Sequence, residues 1–138
     1  MHHGWLVIAG FLSLGVALFH VVGAFIPRLA KYFGAPERLL SAGRVAFALV
    51  TLLIAAVFAL WGLYGLSGAG WLTPLPLLRP ALVIIGAIYL FRGALILPQL
   101  LAVTNLVALK VPTERQHILS SAASLTIGIA YLVGIIVD

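Results

Sequence analysis

The sequence predicts an all-α fold, a transmembrane four-helix bundle with both termini extracytoplasmic. Three observations lead there. The 138 residues are 64% hydrophobic and 8% charged, with a mean hydropathy of +1.24, which leaves a water-soluble domain too little polar surface. The apolar residues gather into four runs, 5–26, 45–66, 81–103 and 115–137, each near the roughly 20 residues that cross a hydrocarbon core as a helix. The basic residues are also lopsided. With even crossings, Arg28, Lys31, Arg38, Arg44, Lys110 and Arg115 share one side and Arg79 has the other. Excess Lys and Arg marks the cytoplasmic side, and Trp5, Trp61 and Trp71 fall toward the outer interface as an aromatic belt.

The N-terminal run, MHHGWLVIAGFLSLGVALFH, has no Lys or Arg before it and is longer than a signal-peptide core, so it reads as a retained helix. It stops at Pro27-Arg28. In the linker 28–44, Pro36-Glu37 predicts a short helix start, with proline at the first helical position and an acid in the first turn. The second run ends in SGAGWLTPLPLLRP, an almost uncharged connection rich in glycine and proline. Pro98 predicts a kink near the end of the third run. Before the fourth, Thr113 to Gln116 has the spacing of a capping box. Residues 1–138 are read as a single integral membrane domain.

Small and polar residues recur at helical spacing, as they do on the packed faces of membrane helices. The lines are Gly10, Ser13, Ala17, His20 and Ala24; Ala48, Thr51, Ala55, Ala59 and Gly62; and His117, Ser121, Ser124, Gly128 and Tyr131. In the third run Tyr89, Arg92 and Gln99 share one face, with Gly86 and Gly93 on a second. Two contact faces suit either a central helix of a bundle or a helix that also meets another subunit.

Arg92 is the residue that needs explaining. A charge at the bilayer centre costs about 2.5–3.5 kcal/mol on insertion scales, so it normally faces a partner. A guanidinium accepts no hydrogen bond and does not deprotonate, so only an acceptor or an anion satisfies it. No Asp or Glu lies within an apolar run. The candidate acceptors on the chain are His20, Thr51, Ser124, Tyr131 and carbonyls freed by Pro98. Outside it they are a carboxylate on a partner helix, a lipid phosphate or a carbonyl-bearing substrate such as a quinone. Arg92, His20, Tyr89, Gln99, Thr51, Ser124 and Tyr131 therefore form the candidate ligand- or partner-binding set.

Other chemistries find less support. His20 and His117 would suit a bis-histidine haem, but they differ in depth: His20 lies six residues inside its run and His117 at a boundary. A bonded His20 and a solvated His117 are expected instead. There is no cysteine, HExxH or carboxylate cluster, so no metal or other cofactor is expected. The catalytic set is empty and nucleic acid is not an expected partner, since charge topology accounts for the net +5. Arg28, Lys31, Arg38, Arg44, Lys110 and Arg115 are placed to meet lipid headgroups. The first-helix glutamate of a small multidrug exporter is missing.

The stretch GAIYLFRGALILPQL, with WGLYGLSGAG before it, resembles small uncharacterised four-helix membrane proteins of bacteria over the middle third of the chain. The resemblance implies the architecture and the bacterial cytoplasmic (inner) membrane, and no activity. The leading expectation is a non-catalytic subunit or homo-oligomeric scaffold that makes intramembrane contacts around Arg92, with membrane lipids and another subunit or copy as partners. The alternatives are a small transporter or channel for an anion or lipophilic anion, and a quinone- or haem-associated anchor.

Overall fold

Seven helices account for the regular structure in a computed structural model that describes residues 4–137. They are α1 (Gly4–Phe25), α2 (Pro27–Tyr32), α3 (Glu37–Ser41), α4 (Arg44–Gly68), α5 (Leu78–Ala94), α6 (Ile96–Val103) and α7 (Arg115–Val137). Four stretches are long and apolar enough to cross a membrane: α1, α4, α5 with α6, and α7. These four spans suggest a multi-pass membrane protein.

Local chemistry sets the breaks. Pro27 takes the first position of α2, where its missing N–H is no loss. Pro36 sits one place earlier than expected, as the residue before α3, and Glu37 opens that helix. Between α5 and α6 the chain turns at Leu95. The cause is Pro98, which cannot donate to the Ala94 carbonyl and whose ring crowds it. The anticipated kink therefore lies one turn ahead of the proline. The capping box is displaced as well. The Glu114 carbonyl, not that of Thr113, accepts the first bonds of α7, from His117 N–H at 2.9 Å and Ile118 N–H at 3.3 Å.

The helices form two tight antiparallel pairs, α1 with α4 and α5 with α7, joined by α1 against α7 and, more sparsely, α4 against α5. Each tight pair depends on a glycine. A Cβ on Gly65 would lie 2.8 Å from the Gly10 Cα, and one on Gly93 would lie 2.5 Å from the Leu125 Cα. Backbones this close maximise dispersion contact, which replaces the hydrophobic effect between helices in lipid.

The core is one cluster that includes Leu6, Ala9, Leu82, Ile85, Tyr89, Ile127 and Tyr131. Large apolar side chains cover the outside instead; Phe91 is 82% exposed and Ile136 73% exposed, as expected where the solvent is hydrocarbon. At the tryptophan end, the uncharged loop 69–77 is tied down. Ser67 Oγ donates to the Thr73 carbonyl and accepts from Leu75 N–H, both at 3.0 Å, and Trp71 meets Phe11 edge-on at 5.6 Å.

Candidate functional site

Arg92 stands on α5 directly before Gly93, which packs on the Leu125 backbone of α7. Its guanidinium is lower. Nη1 donates to Ser121 Oγ at 2.9 Å and Nη2 donates to Ser120 Oγ at 3.1 Å. Helical side chains ordinarily lean toward the N-terminus of their own helix. Arg92 runs the other way, toward the end of the molecule that carries the basic linkers, displaced along α7 by four to five residues or about 6–7 Å. In a bilayer, a long basic side chain that leans this way shortens its path to polar surroundings.

Two expectations about Arg92 change accordingly. Its charge does not lie at mid-helix, because Ser120 and Ser121 are only five and six residues into α7, about 8–9 Å from its start. Its partners on the chain also differ from those expected. The acceptors are a serine pair, neither of which is among the candidates, rather than His20, Thr51, Ser124 or Tyr131. The SerSer dipeptide is the sequence signal for them: successive helical positions fan out about 100° and can take both amino groups of one guanidinium. Both acceptors are neutral, so the charge is solvated without being neutralised. Among the described residues no carboxylate pairs with it; Glu114 instead lies 3.7 Å from His117 Nε2.

Tyr89 and Tyr131 form a second assembly in the bundle interior. Tyr89 OH donates to Ser13 Oγ at 3.1 Å, and Tyr131 OH donates to the Trp61 carbonyl at 2.7 Å with Ser13 Oγ 3.3 Å away. The two rings stack at 6.0 Å, and Trp61 and Phe58 close around Tyr89 at 5.3 and 6.1 Å. With Tyr131 fully buried and Tyr89 nearly so, this network joins α1, α4, α5 and α7 and presents no face to a ligand. Ser13 is its hub.

The remaining candidates are dispersed. His20 Nδ1 donates to the Val16 carbonyl oxygen at 2.8 Å, since a carbonyl can only accept; its ring packs 5.1 Å from Phe58. His117 is less solvated than expected, at 25% side-chain exposure against the turn at Gly34. The two histidines thus pack in different surroundings. Thr51 donates to the Phe47 carbonyl of its own helix at 2.7 Å. Ser124 is half-buried one turn from the serine pair. Gln99 is buried on α6, and its Oε1 has no hydrogen-bond partner.

The basic residues expected at headgroups all lie in or beside the linkers at one end, where Arg28, Lys31, Arg38, Arg44, Lys110 and Arg115 are exposed. Among the described residues no group of three His, Asp or Glu could hold a metal ion. Compared with protein-family models, curated proteins and solved structures, the chain matches none of them.

Proposed function

We propose that the chain is a non-catalytic subunit of the bacterial cytoplasmic membrane, assembling with a second copy or another membrane protein through Arg92. In this reading both termini are extracytoplasmic and the basic linkers lie in the cytoplasm, where the charge asymmetry puts them. The observation that carries the proposal is a guanidinium inside a membrane-spanning stretch, held by two neutral hydroxyls with no carboxylate from the described residues. Serine oxygens orient the group and leave its charge unmatched, so a carboxylate on a helix of another membrane protein, or a hydroxyl or carbonyl of a second copy, gains a preorganised partner at low dielectric.

The surroundings suit such a contact. Arg92 is half-buried at the seam of α5 and α7, beside Phe91 at 82% exposure and Leu95 at 42%. The pattern is an apolar face around one polar anchor. The interior tyrosine network, by contrast, has its hydroxyls committed within the chain.

Native mass spectrometry and crosslinking in mild detergent test the reading. Wild-type protein is expected as an oligomer or with a co-purifying membrane subunit, and Arg92→Leu as the free monomer. Ser120→Ala with Ser121→Ala keeps the charge and is expected to keep the assembly. An Arg92→Leu protein that assembles like wild type rules the proposal out.

A further inference from the structure

At the basic end, where the chain leaves α1 and re-enters the bundle at α4, lies an open cleft of about 590 Å³. This falls within the range of about 300–1,000 Å³ typical of ligand sites. Two arginines line it: Arg28 in the first turn of α2 and Arg44 at the first position of α4. The apolar walls are Phe25, Ile26, Leu40 and Phe47. Phe47 is 2% exposed, whereas Phe25 and Ile26, at 63% and 49%, give the cleft an exposed apolar rim.

We infer that this cleft binds one anionic phospholipid, with the phosphate between Arg28 and Arg44 and the upper acyl chains against Phe25 and Ile26. Two like charges on the lining of one cavity give it a positive potential that an anion relieves. No described residue supplies it: Glu37, the acid of this linker, pairs with neither arginine. A guanidinium fits a phosphate with paired, charge-assisted hydrogen bonds. Gly43, the residue capping α4, has no side chain to bond the first N–H groups of that helix, which adds potential of the same sign. A free phosphate would use the arginines but leave the apolar rim uncovered; a lipid uses both. A zwitterionic lipid brings its own cation and leaves the arginine pair under-compensated.

The assignment rests on the bilayer reading of the four spans and is independent of the Arg92 contact. Delipidated protein in mild detergent is titrated with phosphatidylglycerol, with phosphatidylcholine of the same chains, and with glycerol 3-phosphate, and bound lipid is read by native mass spectrometry. One phosphatidylglycerol is expected to stay bound under conditions that strip phosphatidylcholine. Arg28→Gln with Arg44→Gln should weaken its retention about 25-fold, roughly fivefold per arginine. Lys31→Gln with Arg38→Gln removes the same charge from the same linker but outside the cleft, and should weaken retention several-fold less than the cleft pair does. Leu40→Trp fills the cleft while keeping both arginines, and should abolish retention; it serves if the double arginine variant misfolds. Arg92→Leu should still bind phosphatidylglycerol, which separates this site from the assembly contact. Equal losses in the two charge-removal pairs, equal retention of both lipids, undiminished binding by Leu40→Trp, or competition by glycerol 3-phosphate at lipid-like concentrations would each overturn the inference.

Discussion

Arg92 Nη1 donates to Ser121 Oγ at 2.9 Å, tying the third membrane-spanning stretch to the fourth through a full charge and a neutral hydroxyl. The bond is asymmetric in what each partner loses. Ser121 is completely buried, while Arg92 keeps part of its surface. Without the arginine, either serine can turn its hydroxyl to a carbonyl of its own helix. Without the serines, the guanidinium loses both of its hydrogen-bond acceptors.

Removing the acceptors should therefore cost more than removing the donor. Ser120→Ala with Ser121→Ala is expected to destabilise the bundle by about 2 kcal/mol, since a charged donor is left partly desolvated. Arg92→Leu should be close to neutral in the monomer, because it also removes the insertion penalty. Reversible unfolding in mixed micelles measures both. An Arg92→Leu variant less stable than the double serine variant contradicts this ordering.

The close approach of α5 to α7 gives a sharper expectation. Gly93→Ala would place a methyl group 2.5 Å from the Leu125 Cα, a backbone atom that cannot swing away. A loss of roughly 1–3 kcal/mol is expected, as for other overpacked cores. Gly15→Ala on α1 meets nothing within 4 Å, so it should be neutral or slightly stabilising through helix propensity. Thermal unfolding of the two variants side by side checks the contrast.

Tyr131→Phe keeps the ring stack on Tyr89 and removes the 2.7 Å bond to the Trp61 carbonyl. We expect a loss of about 0.5–1.5 kcal/mol, typical of one hydrogen bond. Tyr64→Phe, whose hydroxyl bonds the Pro76 carbonyl at an exposed position, should cost less. Equal losses would mean that the Ser13 network adds nothing beyond an ordinary surface bond.

Gln99 supplies the opposite sign. Its buried Oε1 bonds nothing, and an unpaired buried acceptor typically costs about 1–3 kcal/mol. Gln99→Met, similar in volume and without the amide, is expected to raise stability by part of that amount. Unfolding in detergent measures it, and a destabilised Gln99→Met would show that the amide contributes a bond within the intact bundle.

Much of this architecture is legible from the linear chain. A bilayer imposes a length and a polarity on each crossing, so the runs ending near Phe25, Gly68, Val103 and Val137 declare themselves through composition. Pro27 and Pro98 announce their breaks because a missing N–H is a property of the residue itself. The site is legible only in part. Arg92 stands out as a charge in an apolar run, but its partners depend on the rotation of α7 and on which way a flexible side chain leans. Neither is written in periodicity. Tyr89 was grouped with Arg92 because the two share a helical face at a spacing of three; in the bundle, the small difference in angle sends Tyr89 to Ser13 and Arg92 to the serine pair.

The sequence by itself determined the number of spans, the end that collects the basic residues and the presence of one costly cation, because each follows from the transfer free energy of residues taken singly or in runs. Only the tertiary structure decided that Ser120 and Ser121 receive that cation, that Ser13 joins two tyrosines from different helices, and that Arg28 and Arg44 line one cleft. Those are contacts between residues distant in the chain, set by how closely glycine lets the backbones meet, and no local pattern encodes the angle at which two helices dock.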